Sequence, residues 1–274
     1  GYNLALFLLR AGILDEGLKY YESRWRLPGW RRRPFPADNW SGDLGGLRGK
    51  RLLVWGEQGL GDEILFSGSL RALLDGGADV TLECESRLVP LMQRSWPDIS
   101  VYPALDPADA ELQSQHFDLQ TSIGSLPHLL GVSSANDFGR YPPVLVPDTG
   151  LVERLRRKYQ GEDNALVVGI SWRSGASTIA SRKSAALELW GEVLELPGIR
   201  FVDLQYGDTT AERLKVEQNT GRRLLHDLDV DSNHDLDTFA AQVAAMDQVI
   251  TISNATAHFA GALGIPTDLL LSNG

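Results

Sequence analysis

The chain has 274 residues, of which 43% are hydrophobic and 23% are charged, and its formal net charge at pH 7 is −10. This length allows one large domain or two ordinary ones, and the composition is that of a soluble globular protein. The acidic balance argues against nucleic acid or an anionic membrane surface as a general partner. The single cysteine, Cys84, excludes an intrachain disulfide and a thiolate metal site.

No apolar run in the sequence reaches membrane-spanning length, and the N-terminus lacks the order of charged, apolar and small residues that marks a signal peptide. Together with the lone cysteine, this pattern predicts a cytoplasmic protein without an integral membrane segment.

Residues 1–49 are predicted to form a helical hairpin followed by a linker. Apolar residues recur at helical spacing in residues 3–12 and again in residues 14–25. Residues 28–49 are rich in proline, glycine, tryptophan and aspartate, which predicts a connector with little regular structure. The basic run RWRLPGWRRR, residues 24–33, is interpreted as a solvated linker whose tryptophans pack on neighbouring helices.

Two α/β regions follow, in residues 50–146 and 147–274, and a proline-rich stretch at residues 141–148 separates them. Alternating strands and helices specify a parallel sheet that is covered on both faces. In such sheets ligands bind beyond the carboxyl ends of the strands, so we expect two half-sites and a cleft between them. The predicted strands are residues 51–55, 80–84, 100–102 and 119–123 in the first region, and 166–172, 200–205, 224–227, 248–252 and 267–271 in the second.

A glycine-rich turn joins the first strand of this alternation to its helix. It contains Gly56, Gly59 and Gly61, and the acid Asp62 follows directly. Glycines allow a sharp turn and let a ligand approach backbone N–H groups. A carboxylate is unusual in an anion-binding turn, which favours proton chemistry or hydroxyl binding by Asp62. The alternative is that Asp62 only caps the helix.

Two known phosphate-binding patterns do not fit this turn. A P-loop would end in Gly-Lys-Ser/Thr, which is absent. A dinucleotide fingerprint started at Gly59 has Ile64 in place of its third glycine, although Glu83 and Glu85 lie where a ribose-binding acid is expected. A nicotinamide-dependent dehydrogenase therefore stays open as an alternative.

Basic residues follow the first strand of the second region. Arg173, Arg182 and Lys183 flank a loop rich in serine, threonine and glycine. Guanidinium groups and hydroxyls at the carboxyl end of a strand predict a site for an anionic group. The alternative is a mobile surface loop with ordinary basic residues.

Two further runs place polar residues at strand ends in the second region. Gln205 and Tyr206 end one strand, on the predicted rim of the cleft. In TISNATAHFAGALGIPT, Asn254 and Thr256 can cap a helix whose free N–H groups bind an anion. His258, in the first turn, would hydrogen-bond a phosphate or a ribose, or else pack with a satisfied ring.

Four runs together, GEQGLGDEILF, VGISWRSG, DLQYGD and SNATAHFAGALGIPT, resemble bacterial glycosyltransferases attached to tetratricopeptide repeats. More distantly they resemble the ADP-heptose lipopolysaccharide heptosyltransferases and protein O-GlcNAc transferase. The segment NLALFLLRAGILDEGLKYYESRW resembles a tetratricopeptide unit. The resemblance implies the α/β GT-B architecture: two facing Rossmann-like doubly wound domains, with the acceptor on the first and the nucleotide sugar on the second.

The resemblance also implies residue roles. Asp62 matches the proposed base that activates the acceptor hydroxyl, and its turn becomes the acceptor-side loop. The basic loop matches the segment that neutralises the donor diphosphate, and the helix start with His258 matches the donor-binding motif. Heptosyltransferases have Asp-Thr-Gly where this chain has Ser253, Asn254 and Ala255, so the resemblance does not specify the donor. The acceptor-side loop comprises Glu57, Gln58, Gly59 and Gly61.

We therefore expect a metal-independent glycosyltransferase that needs no cofactor and takes a nucleotide-diphosphate sugar as substrate. The acceptor would be a saccharide, a lipid-linked molecule or a protein, and the repeat-like helices could bind a protein partner. An alternative is a noncatalytic scaffold with a degenerate core.

Overall fold

The computed structural model describes residues 1–138, 144–175 and 184–271. The chain divides into two compact units, Gly1–Val144 and Leu145–Gly274. The boundary predicted from the sequence was drawn between residues 146 and 147. Arg182 and Lys183, two of the predicted anion-binding residues, lie outside the described residues.

The predicted helical hairpin is present at the start of the first unit. Helix α1 spans Tyr2–Arg10 and α2 spans Leu14–Tyr21, and a 3-10 helix continues the chain from Glu22–Arg26. The two α-helices pack directly on each other. Gly12, between them, has a φ of 76°. A residue with a side chain would be strained in this backbone conformation, so the turn of the hairpin favours glycine.

The linker is more ordered than predicted. Asp38–Asn39 form a short strand, β1, that pairs in parallel with Leu119 and Gln120 at the edge of the first sheet. Trp40 is buried directly after it. Burying this tryptophan against the sheet fixes the linker backbone, a long-range effect that composition does not reveal. Residues 1–49 therefore belong to the first unit rather than standing apart from it.

The first unit is built on a five-stranded parallel sheet with the order β1-β5-β2-β3-β4. The central strand β2 is buried along almost its whole length, as expected for a parallel sheet covered by helices. One predicted helix divides at Gly68, giving α3 and α4. The elements are β2 Arg51–Trp55, α3 Leu60–Ser67, α4 Leu70–Asp75, β3 Asp79–Cys84, α5 Val89–Ser95, β4 Ser100–Pro103, α6 Ala110–Ser114, β5 Leu119–Ser122, α7 Leu126–Leu129 and α8 Ala135–Phe138, with 3-10 helices at Gly45–Leu47, Ser86–Leu88 and Ile123–Ser125.

The second unit has a four-stranded parallel sheet with the order β7-β6-β8-β9. The strand predicted at residues 224–227 is reduced to an isolated bridge between Val202 and Leu225. A core containing Trp172, Trp190 and Phe201 packs on one face of the sheet. The elements are α9 Thr149–Gln160, β6 Leu166–Ser171, a 3-10 helix Leu187–Trp190, α10 Gly191–Leu194, β7 Ile199–Asp203, α11 Thr210–Thr220, α12 Leu236–Ala244, β8 Gln248–Ile252, α13 Ala255–Ala262 and β9 Thr267–Leu270.

Among the described residues, no helix combines the length and the hydrophobicity that a bilayer crossing requires.

Gly169 in β6 provides a test of the packing of the second sheet. A Cβ at this position would overlap the side chains of Leu204 and Met246, so Gly169→Ala must displace two buried residues. We expect the free energy of unfolding to fall by about 1–3 kcal/mol. The matched control is Gly261→Ala in α13, where no atom lies within contact distance and alanine favours the helix. Urea unfolding of both variants measures the difference, and equal midpoints would contradict this packing.

Candidate functional site

The predicted acceptor-side residues lie together at the carboxyl end of β2. Glu57 and Gln58 form the turn, Gly59 is the N-cap residue of α3, and Asp62 lies in the first helical turn. The backbone N–H of Asp62 donates to the carbonyl of Gly59 at 2.9 Å. Gly59 thus occupies the N-cap position, and Asp62 lies three residues into the helix. The Asp62 side chain is half-exposed.

A buried arginine occupies the adjacent crevice. The chain leaves β2 toward β3 and later returns as β5 on the other side of β2, so a crevice opens between the carboxyl ends of β2 and β5. Arg24 fills it and is fully buried. Its Nη2 donates to Glu57 Oε1 at 2.7 Å, to Ser125 Oγ at 2.8 Å and to Ser122 Oγ at 3.1 Å.

The interpretation of residues 24–33 as a solvated linker is therefore wrong for Arg24. The Glu57 side chain is only 2% exposed, and a buried carboxylate needs a cation or hydrogen-bond donors. Arg33 is a second departure, because its Nε donates to Oε2 of the fully buried Glu83 at 2.8 Å. Both arginines neutralise buried acids of the first sheet.

The rest of the Arg24 guanidinium is bound by the hairpin itself. Nη1 donates to Glu22 Oε1 at 2.6 Å and to the carbonyl of Tyr21 at 3.2 Å. The guanidinium lies 4.6 Å from the ring centroid of Tyr21 and 4.3 Å from that of Trp25, within cation–π range. Burial lowers the pKa of Arg24, but the carboxylates of Glu57 and Glu22 outweigh it and hold the pKa above its ordinary value. Arg24 therefore stays charged.

Two glycines are required because glutamate carboxylates occupy the space that a side chain at either position would need. A Cβ on Gly124 would overlap the Glu57 carboxylate, and one on Gly56 would overlap the Glu63 carboxylate. Neither glycine has a positive φ, so close approach rather than backbone conformation accounts for them. At Gly56 the approaching group is thus an internal side chain, where the sequence suggested a bound ligand.

Glu63 is a titratable residue of the site that the sequence analysis missed. It is 3% exposed, and its Oε2 accepts a hydrogen bond from the backbone N–H of Glu85 at 2.8 Å. Burial raises its pKa from 4.5 to about 7, although the N–H bond opposes the rise. The signal was available in the helical period, since Glu63 lies on the same buried stripe as Phe66 and Ser67.

In the second unit, three predicted donor-binding residues meet at the carboxyl ends of β6, β7 and β8. Gln205 Oε1 accepts backbone hydrogen bonds from Trp172 at 3.0 Å and from Arg173 at 2.8 Å. Asn254 Nδ2 donates to Ser171 Oγ at 2.7 Å. Both amides bind the polypeptide itself, so they shape the end of β6.

Asn254 also fixes the start of α13. It is the N-cap residue, and its Oδ1 accepts from the backbone N–H of Thr256 at 3.0 Å. Thr256 is buried, whereas the side chain of His258, two residues along, is half-buried. The helix N-terminus therefore lies at the same edge of the sheet as Arg173.

Arg173 and Tyr206 complete the predicted donor-side group. Arg173 Nε donates to Glu212 Oε2 at 3.1 Å, and its Nη2 donates to the carbonyl of Asp208 at 2.8 Å. The Tyr206 hydroxyl accepts a hydrogen bond from the N–H of Gly175. Arg173 thus already has a carboxylate partner.

A buried aspartate behind this group was not predicted from the sequence. Asp203, the last residue of β7, accepts hydrogen bonds from Thr209 Oγ1 at 2.5 Å and from the N–H of Gln205 at 2.9 Å. Its Oδ2 lies 2.9 Å from His226 Nδ1 and 3.3 Å from Arg213 Nε. Asp203 therefore holds the loop that carries Gln205 and Tyr206. The sequence signal for Asp203 was its position directly after the apolar strand residues Phe201 and Val202.

In the part of the chain that the structure describes, no group of three or more histidine, cysteine, aspartate or glutamate side chains is arranged to hold a metal ion.

Comparison with known proteins gives a relative in sequence. No family model matches the chain. Protein FlbA of Caulobacter vibrioides is 34% identical over 282 residues, an alignment that covers 97% of this chain and 47% of FlbA. The chain therefore spans about half the length of this relative.

Solved structures with a similar fold are glycosyltransferases. A glycosyl transferase family 9 protein from Veillonella parvula has a TM-score of 0.64 at 12% identity, with 83% of each chain covered. ADP-heptose lipopolysaccharide heptosyltransferase II from E. coli has a TM-score of 0.57 at 12% identity, with 80% of this chain and 84% of that chain covered. The predicted fold class, two parallel α/β units of the GT-B type preceded by a helical hairpin, is confirmed.

The raised pKa of Glu63 predicts a pH-dependent stability. Below pH 4.5 the carboxyl group is protonated in both the folded and the unfolded chain. Between pH 4.5 and about 7 only the unfolded chain loses its proton, so the wild type should lose about 3 kcal/mol of unfolding free energy relative to Glu63→Gln.

Urea unfolding of both proteins at several pH values, from below 4.5 to above 7, measures this loss. The exposed substitution Glu153→Gln in α9 controls for the change in formal charge. Parallel pH curves for the wild type and Glu63→Gln would show that Glu63 does not titrate in this range.

Proposed function

We propose that the protein is a glycosyltransferase that moves a sugar from a nucleotide-diphosphate donor to an acceptor hydroxyl. The observation that supports this most directly is the gathering of Arg173, Gln205 and Asn254 at the carboxyl ends of adjacent parallel strands. That edge is where open α/β sheets bind nucleotides. The fold is shared with glycosyltransferases, which favours a nucleotide sugar over other nucleotides.

Sugar transfer requires a site that stabilises the departing diphosphate and a base that accepts the acceptor proton. We assign the first to the second unit and the base to the first unit. The bond from the sugar to the donor diphosphate breaks, a bond from the sugar to the acceptor oxygen forms, and the acceptor proton must be removed. The N-terminus of α13 and nearby basic side chains would stabilise the charge on the departing diphosphate. Asp62, half-exposed in the first turn of α3, would take the proton.

The proposal includes a reaction without metal or cofactor, in the cytoplasm, on a saccharide, lipid-linked or protein acceptor. It also treats the N-terminal hairpin as a tetratricopeptide-like unit. The dehydrogenase alternative has no support from the structural neighbours named above, which are glycosyltransferases. Glu83, one of its two ribose-binding candidates, is fully buried against Arg33 and cannot reach a ribose.

Nucleotide binding tests the proposed function. Isothermal titration with UDP, GDP and ADP should show binding of at least one diphosphate, because the phosphate site is expected at the helix N-terminus of the second unit. Adenosine, uridine and guanosine serve as controls that lack the diphosphate. Failure of all three diphosphates would favour the noncatalytic scaffold and reject the enzyme.

Asp62→Asn tests the catalytic base. The amide keeps the shape of the side chain but cannot accept a proton. Turnover of a nucleotide sugar built on the diphosphate that binds should therefore fall roughly a hundred- to ten-thousand-fold. The Kd of the nucleotide diphosphate should stay within about twofold, since uniform binding is untouched. The exposed Asp75→Asn, at the end of α4, is the matched control. Undiminished turnover in Asp62→Asn would remove Asp62 from the mechanism.

A further inference from the structure

The helical hairpin contacts the acceptor-side loop through polar side chains. Arg24 Nη2 donates to Glu57 Oε1 at 2.7 Å, and the Tyr21 hydroxyl donates to Gln58 Oε1 at 2.5 Å. Glu57 and Gln58 are the two residues that precede Gly59, the N-cap of α3. Both side chains that open the loop are therefore held by residues of the N-terminal helical segment.

Electrostatics link the hairpin to Asp62. Burial raises the pKa of the Tyr2 hydroxyl, and the negative charge of Asp62 raises it further. The rings of Tyr2 and Tyr21 are in contact, with centroids 5.7 Å apart. Tyr2 belongs to α1 and Tyr21 to α2, so both helices contribute to this ring pair.

The loop has little freedom to move away from this arrangement. A Cβ on Gly124 would overlap both the Glu57 carboxylate and the Gln58 amide, which shows how tightly the two side chains are enclosed. Ser122 and Ser125 bind Arg24 from the end of β5. If Arg24 were absent, the Glu57 carboxylate would be buried without its cation and would have to move toward water.

We propose that Arg24 is a positioning residue: it fixes the conformation of residues 57–62 and so makes the orientation of Asp62 depend on the helical hairpin. Its effect on turnover rests on the proposed function, whereas its effect on the loop does not. The crevice that open α/β sheets commonly offer to a ligand is occupied in the first unit by a side chain of the protein itself.

Amide hydrogen exchange on Arg24→Ala tests the effect on the loop. We expect exchange of residues 57–62 to become at least about tenfold faster, because losing one partner of a buried ion pair is strongly destabilising. Strands β3 and β4 should be little affected, because the hydrogen bonds described for Arg24 go to other parts of the first unit. The matched control is Arg26→Ala, an exposed residue of the same 3-10 helix.

Chemical rescue separates positioning from general damage. Guanidinium chloride below its denaturing range should enter the space left by Arg24→Ala and slow exchange in residues 57–62 again, while sodium chloride at the same ionic strength should not. Arg24→Lys should rescue only in part, because an ammonium group cannot bind Glu57, Glu22 and both serines in the same fork geometry. Unchanged exchange in folded Arg24→Ala would overturn the proposal.

Gly124→Ala covers the case in which Arg24→Ala does not fold. This variant keeps Arg24 but displaces the Glu57 carboxylate, so it should also accelerate exchange in residues 57–62. Exchange equal to that of the wild type in Gly124→Ala would count against the proposal just as directly.

A kinetic measurement separates this proposal from the proposed function. With a nucleotide sugar built on the diphosphate that binds, Arg24→Ala should lower the kcat of transfer or donor hydrolysis at least about tenfold and leave the donor KM nearly unchanged. Faster loop exchange with unchanged kcat would refute positioning of Asp62 while the proposed enzyme stands. Wild-type protein that binds no nucleotide diphosphate would refute the enzyme, and the exchange result would still decide the role of Arg24 in the loop.

Discussion

Buried carboxylates at the carboxyl end of the first sheet are the constraint on which the first unit depends. Glu57 and Glu83 are enclosed by protein, and each is neutralised by an arginine from the N-terminal segment, Arg24 and Arg33 respectively. Removing one member of such a pair leaves an uncompensated charge in a poorly solvated place, which costs several kcal/mol. The hairpin and linker are therefore part of the folded first unit. A chain that began at β2 would lack both arginines, so both acids would be left without their cations.

In the second unit, side-chain amides and a buried aspartate order the carboxyl ends of the strands. Gln205 and Asn254 use their amides to bind the backbone and Ser171 at the end of β6, and Asp203 holds the following loop. Side-chain amides satisfy backbone N–H groups without adding charge. The positive end of α13 is consequently not cancelled by a carboxylate at its cap, since the cap is Asn254. An anion would find this edge more favourable than the acid-lined edge of the first unit.

The alternation of strands and helices could be predicted from hydrophobic period, and most strand bounds agree within one or two residues because buried parallel strands leave a strong apolar signal. The candidate residues at strand ends could also be predicted from the sequence, since a parallel sheet aligns the carboxyl ends of its strands. The burial of Arg24 could not be predicted in this way. Its neighbours are basic and aromatic, and its partner Glu57 is 33 residues away, a distance over which no local period operates. Strand β1 could not be predicted for a similar reason. It has only two residues, and they form a strand because they pair with β5, which is far away in the sequence.

The two close approaches of glycine to glutamate link positions that are far apart in the chain. A side chain at position 124 would overlap the Glu57 carboxylate, and one at position 56 would overlap the Glu63 carboxylate. Each glutamate therefore requires a glycine at its partner position. In a descendant that replaces Glu63 by a smaller residue, position 56 would be released from its restriction to glycine. Each pair therefore constrains sequence divergence jointly, and the two members are expected to change together over evolutionary time.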